Sequence, residues 1–206
     1  MKILIAIFIA CLSINAINCA AQTGNTTYLD EPFNNNDNGW LPNDTSGNTG
    51  LSLADGALSL EGATSGNTAI IKRPIDDSRD FEIEISYIVV KRPGKRKSAG
   101  RLFWGYSDSL GGAWIGLSLD IFHFGYCRGG DHKKDKIKDI YVHPHQAIGA
   151  PVTLLIRKVS DQYAILVNGK PERKLPFEHL PGNELALEVS KGGSVKVQAL
   201  SIRYLN

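Results

Sequence analysis

Short runs of alternating apolar and polar residues fill most of this sequence. Clusters of Gly, Asn, Asp and Pro interrupt them at roughly 8–12-residue intervals, the spacing of a β-sandwich or barrel. From Tyr28 onward no long helical periodicity is present. The runs predict strands over 28–33, 50–54, 57–62, 68–74, 80–90, 99–107, 113–124, 137–143, 151–159, 162–168, 184–190 and 194–205. Over 80–90, Phe81, Ile83, Ile85, Tyr87 and Val89 fall on one face, and Asp80, Glu82, Glu84 and Ser86 on the other, as the two-residue period of a strand dictates. Over 113–123, Ile115, Leu117, Leu119 and Ile121 make an aliphatic face opposite Trp114, Gly116, Ser118, Asp120 and Phe122. Tyr163, Ile165 and Val167 alternate with Gln162, Ala164 and Leu166. The last strand changes phase: Val195 and Val197 give way to Leu200, Ile202 and Tyr204, which a one-residue bulge near Gln198–Ala199 explains. Asn168-Gly169 is a two-residue hairpin signal, and "RPGKRK" at 92–97 reads as a Pro-Gly turn between strands. The polar stretch 125–136, "GYCRGGDHKKDK", reads as a long surface loop.

At 206 residues the chain defaults to one domain and is long enough to bury a substantial core. Val, Ile, Thr, Tyr and Phe recur in the short runs, a composition that leans towards β structure. A formal net charge of +2 argues against non-specific nucleic-acid binding. The N-terminus has the make-up of a targeting segment: Lys2, then "ILIAIFIACLSINAI", too short and too lightly flanked for a membrane span. Cys19 and Ala21 are small residues at −3 and −1 of a cleavage point after Ala21. Residues 1–21 therefore read as a signal peptide, 22–27 as a short polar linker and 28–206 as the domain, which makes the protein secreted or periplasmic. The alternative is a lipid anchor on Cys19, with Asn18 standing where such anchors carry Gly, Ala or Ser. With the leader removed only Cys127 remains, so no intrachain disulfide is available and the core must hold the fold.

Six segments in order, "YLDEPFNNNDNGW", "DGALSLEG", "DFEIEISY", "GRLFWGYSD", "VTLLIRKVSDQYAILVNGKP" and "VKVQALSIRYL", resemble the concanavalin-A-like lectin/glucanase superfamily. The closer likeness is to its laminin-G-like and bacterial exported members, and it covers nearly all of 28–206. The resemblance implies an all-β fold, a jelly-roll sandwich of two antiparallel sheets with ligands lying across one sheet or at its rim. Members bind carbohydrate, bind protein partners or hydrolyse glycosides, so the likeness speaks for fold more than for activity.

Glycosidases set two carboxyl groups about 5 to 10 Å apart across the scissile bond. Residues i and i+2 of a strand are separated by roughly 6.6 Å of backbone rise, which makes Glu82 and Glu84 the candidate catalytic pair. The family 16 glycoside hydrolases of this superfamily carry Glu-x-Asp-x-Glu after a Trp-bearing strand. Here the order is Asp80-x-Glu82-x-Glu84, and "LFWGY" follows rather than precedes it. The competing reading places these acids on the wet face of a half-buried strand. "SRDFEIEISY" also resembles exported keto-disaccharide hydrolases, but Lys97-Ser98-Ala99-Gly100 replaces their Asn-Ser-Gly.

Sugar rings stack on aromatic faces while carboxylates accept hydroxyl hydrogen bonds. Trp114 and Asp120 on one strand, with Trp104 and Tyr106 on the strand before, are therefore the candidate ligand contacts. The ordinary alternative for such aromatics is to plug the core or its rim. His123, His132, His143 and His145 fall in one segment with Cys127 and Asp131, but their spacing matches no zinc pattern and no metal site is predicted. "NNNDNG" at 34–39 lacks the acidic first ligand and distal Glu of an EF-hand. It reads as an Asn-rich turn before Trp40, with structural calcium the alternative. The basic clusters "KRPGKRK", Lys91 to Lys97, and "HKKDKIK", 132–138, are either solvated loops or contacts for an acidic polysaccharide or anionic surface.

No complete catalytic motif is present, whereas one sheet face is polar and aromatic. The expectation is an exported bacterial binding module, non-catalytic, for glycan or another extracellular polymer. Two further classes stay open: a glycoside or keto-sugar hydrolase using Glu82 and Glu84, and a laminin-G-like protein-interaction domain using its rim loops. What separates them is whether Glu82 and Glu84 line a walled cleft beside Trp114 or Trp104.

Overall fold

The computed structural model describes residues 26–41, 50–62, 67–71, 74–107, 111–128, 138–141 and 145–206. The leader, Cys19, Asp131, His132 and His143 lie outside the described residues. The strands are β1 (Thr26–Glu31), β2 (Leu51–Ala54), β3 (Ala57–Glu61), β4 (Asn67–Ile71), β5 (Phe81–Lys91), β6 (Gly100–Ser107) and β7 (Gly111–Leu117). There follow β8 (Ile121–Arg128), β9 (Lys138–Tyr141), β10 (Pro151–Val159), β11 (Gln162–Val167), β12 (Lys170–Pro176), β13 (Glu184–Val189) and β14 (Ser194–Tyr204). They pair antiparallel into two sheets. The larger runs β12-β11-β10-β5-β14-β3-β2 with β1 also on β14, and the smaller runs β4-β13-β6-β7-β8-β9. Among the described residues no helix is long and apolar enough to cross a membrane.

The two sheets bury their inward faces against each other. The apolar set of β5, Phe81, Ile83, Ile85, Tyr87 and Val89, is wholly inaccessible to solvent, as are Leu154 and Ile156 of β10 beside it. Full burial of one such aliphatic side chain stabilises by about 1.5–3 kcal/mol. Hydrogen bonds stitch the interior across the layers. Trp104 Nε1–H donates to Tyr163 Oη at 2.9 Å, and Tyr87 Oη–H donates to the Ser118 carbonyl at 2.8 Å. Burial pushes both phenols far above their ordinary range, so they stay protonated donors and acceptors.

The predicted bulge in the last strand is present. Against β5 the register skips between Val197 and Ala199, leaving Gln198 unpaired. The skip returns Leu200 and Ile202 to the core face that Val195 and Val197 began. It lets β14 take β3 along its first half and β1 along its second. Asn168 and Gly169 both have positive φ, 49° and 75°, the two-residue hairpin turn that the sequence signals.

Three expectations need correction. Residues 113–124 are not one strand: β7 ends at Leu117, the chain turns through Ser118–Asp120, and β8 starts at Ile121. Aliphatic alternation across 115–121 hid that turn, because Leu119 is buried even though it lies outside any strand. Residues 125–128 belong to β8 and not to a loop, since Gly125, Tyr126 and Cys127 pair with Trp114, Ala113 and Gly112. Finally, β12 was not foreseen. Its sequence KPERKLP alternates poorly and holds two prolines, which suits an edge strand.

Candidate ligand-binding site

Glu82 and Glu84 share the outer face of the larger sheet. Their cross-strand neighbours are Arg157 and Arg203 for Glu82, and Leu155 and Ser201 for Glu84. Arg157 Nε donates to Glu82 Oε1 at 2.5 Å. Glu82 is thus an ion-pair partner, and neither acid lines any of the cavities described below. The aromatics that would wall a cleft beside them, Trp104 and Trp114, belong to β6 and β7 of the other sheet.

The four predicted ligand contacts fall in three different places. Trp104 is a core residue, fully buried against Tyr163 and Phe124. Strict alternation would put Tyr106 beside it. Instead Gly105 has φ +57°, a side chain there would overlap Leu180, and the register slips against both neighbouring strands. This bulge returns Tyr106 to the outer face, where its ring meets Phe103 edge-on at 5.3 Å. Trp114 also points outward, into a second small cluster with Phe103, Cys127 and Ala186, and is only 4% exposed. Its indole lies over Gly125 of β8, where a Cβ would come within 2.9–3.0 Å of the ring. The Arg101 guanidinium lies over the same indole, 4.8 Å from the centroid. Asp120 sits in the turn before β8 and accepts from both Arg92 terminal nitrogens, at 2.9 and 3.3 Å. Burial alone would raise its pKa; the hydrogen bonds from Arg92 and the Ile121 N–H outweigh that and hold it below the ordinary carboxylate range. Asp120 therefore clamps the basic 92–97 turn down beside the sheet.

That clamp makes a cavity of about 350 Å³ on the outer face of the smaller sheet. Arg101, Trp114 and His123 come from the strands; Arg96, Lys97 and Ser98 come from the clamped segment; Ser190 and Lys191 come from the turn after β13. The Ser98 hydroxyl is buried and has no hydrogen-bond partner among the described residues. His123 Nδ1 lies 2.8 Å from Asp139, and its Nε2 lies 3.2 Å from the Arg96 carbonyl. Arg101 faces Glu188 at 3.7 Å. Sequence reasoning singled out Trp114 and the basic turn but not Arg101, Ser98 or Lys191. A usable signal was present: glycines inside strands, Gly116 and Gly125, mark close approach by other groups, here the Ser98 hydroxyl and the Trp114 ring.

Two larger hollows, about 600 and 640 Å³, flank the 74–80 segment. Three of their four aspartates, Asp76, Asp77 and Asp80, fasten that segment. Asp76 accepts from the Ser78 N–H and hydroxyl at 3.1 and 2.6 Å, and Asp77 from the Leu180 N–H at 3.1 Å. Asp80 accepts from the Ser160 N–H at 2.8 Å and from Lys158 Nζ at 3.2 Å. The Asn-rich loop is organised in the same inward way around buried Glu31. That carboxylate accepts from the Phe33 N–H, the Asn38 amide and the Trp40 indole at 2.7, 2.6 and 2.8 Å. Asn35 and Asn36 turn their side-chain oxygens to the N–H groups of Asp37 and Leu41 rather than towards a common cation position. Among the described residues no group of three His, Cys, Asp or Glu side chains converges as a metal site.

No family model matches the chain, and no curated protein does. Solved structures do. The carbohydrate-binding module CBM66 from Bacillus subtilis superposes with a TM-score of 0.59 at 13% identity, over 86% of this chain and 94% of that one. A legume lectin-like domain from Entamoeba histolytica gives 0.55 at 16% identity, covering 74% and 85%. The exoplasmic/lumenal domain of VIP36, in its Ca2+/Man-bound form, gives 0.57 at 12% identity, covering 74% and 80%. At these identities the likeness is one of fold: the chain is a concanavalin-A-like jelly-roll sandwich, as the ordered motifs implied.

Proposed function

We propose that this chain is an exported, non-catalytic glycan-binding module whose ligand occupies the cavity between Trp114, Arg101 and the clamped basic turn. The observation that carries the reading is the make-up of that cavity. Hydrogen-bond donors from Arg96, Lys97, Arg101, His123 and Lys191 line it beside the Trp114 indole, and no carboxylate is among the lining residues. Such a lining suits recognition of hydroxyl-rich rings. It lacks the acid and base that glycoside cleavage requires. The nearby acids are each paired: Asp120 with Arg92, Glu188 with Arg101, Asp139 with His123. Several proteins that share the fold are carbohydrate-binding modules or lectin-like domains by name, which agrees with this reading. Export rests on the leader in residues 1–21.

A glycan-array screen of the purified protein, with product analysis of every sugar retained, tests the proposal. Binding without cleavage is the expected result. Release of products, or silence on every glycan, defeats it. Because no carboxylate lines the cavity, binding is also expected to survive exhaustive dialysis against EDTA, and a loss restored by calcium would overturn that cation-independent account.

A further inference from the structure

We infer that the ligand of this cavity is an anionic saccharide, a sugar ring bearing a carboxylate or sulfate; the inference rests on the glycan-binding reading above. Four cationic side chains, Arg96, Lys97, Arg101 and Lys191, line the cavity. Among the described residues only Arg101 has a carboxylate partner, Glu188 at 3.7 Å. Arg96, Lys97 and Lys191 therefore converge on one hollow with no acid in ion-pair contact with them among the described residues. What sets the site apart is convergence on a hollow: Arg92, Arg157 and Lys158 are each paired with an acid, while Lys170, Arg173 and Lys174 stand along the open edge strand β12.

The geometry also says what kind of anion suits it. Arg101 is held over an indole and beside a carboxylate, so its guanidinium loses little freedom when it takes a planar or tetrahedral oxyanion. The cations surround a hollow of about 350 Å³ and are not spread over a flat face. That volume is at the small end of ligand sites and suits one or two sugar rings. A membrane surface is met instead by basic residues spread over an exposed face. Single-stranded nucleic acid requires successive aromatic platforms, and this cavity has one indole, largely covered.

Matched polymer pairs that differ in charge alone test the inference: polygalacturonate against its methyl ester, and dextran sulfate against dextran. Phosphatidylserine vesicles serve as a non-saccharide anion. The charged member of at least one pair is expected to bind tenfold or more tightly, equivalent to about 1.4 kcal/mol. That preference should fade as salt shortens the screening length from roughly 10 Å at 0.1 M to 3 Å at 1 M. The triple variant Arg96→Gln, Lys97→Gln, Lys191→Gln, all exposed positions, is expected to erase the preference without lowering Tm. The control triple Lys170→Gln, Arg173→Gln, Lys174→Gln on edge strand β12 should retain it. Equal binding of both members of each pair overturns the inference and leaves glycan binding standing. Binding to neither member overturns both. Vesicles bound as tightly as the charged polymer, or equal losses in the two triples, would reduce the effect to ion exchange and also overturn it.

Discussion

The two sheets present outer faces built by the same alternation, and they have opposite fates. On the larger sheet the outward residues of β5, Glu82, Glu84 and Ser86, lie beside Arg157, Thr153, Ser201 and Arg203 of the strands on either side. Charges there meet across strands, as pairs on a solvated sheet do. On the smaller sheet the outward residues include Phe103, Trp114, Cys127 and Ala186, all buried. Beside Trp114 the turn between β5 and β6 is drawn down by the Arg92–Asp120 ion pair, and that part of the face becomes a lined cavity. A strand face thus becomes a lined cavity when a neighbouring loop is fastened over it.

The comparison breaks most readily at Gly125. Its bare backbone is what allows the Trp114 ring to lie across β8. Gly125→Val is expected to displace the indole and with it Arg101, abolishing ligand binding. Forcing methyls into a packed site costs about 1–3 kcal/mol, which a fall in Tm should register. Retained binding in a folded Gly125→Val protein would mean that the ligand lies elsewhere, and the contrast between the two faces would lose its functional meaning.

A smaller effect should follow from acid. The Asp120 carboxyl is held below its ordinary value of 3.8, so in the folded protein the clamp persists at that pH and is lost only as pH falls through the lowered value. Affinity for a glycan that does not itself titrate is therefore expected to hold from neutrality through the ordinary carboxylate range and to fall only at more acid pH. Asp120→Asn should show the weakened affinity already at pH 7. A variant that binds as wild type at neutral pH would show that the turn stays in place without its ion pair.

Much of this was legible in the chain. The inward faces of β5 and β11, the Gln198 bulge and the Asn168-Gly169 turn follow from period and turn chemistry, which are local. What escaped was non-local or broke the period. Gly105 breaks the alternation of β6 and sends Tyr106 to the face opposite Trp104, and the position has no room for a side chain because Leu180, far along the chain, packs there. The turn at Ser118–Asp120 was masked because Leu119 continues an aliphatic series while lying outside any strand. Asp120 itself reads as a ligand contact in sequence, and only the structure shows its pairing with Arg92 at the edge of the cavity.

The smallest effect is expected where the sequence drew most attention. Glu82 sits deep on its face, 7% exposed, yet its partner Arg157 has a side chain that is 45% exposed. Replacing Glu82 with Gln leaves an arginine that water can reach, so the cost is set by a solvent-screened ion pair, about 0–1 kcal/mol. Removing one partner of a fully buried pair would cost several times more, so the measured change in Tm reports which regime holds. Glycan affinity should not change, because neither Glu82 nor Glu84 borders the cavity on the opposite sheet. The double variant Glu82→Gln, Glu84→Gln is the sharper form of the experiment. If it binds every ligand as wild type does, these carboxylates owe their spacing to the pleat of a half-buried strand. If it loses sugar turnover that the wild type shows, the site belongs on the larger sheet, and the roofed face of the smaller one is only packing.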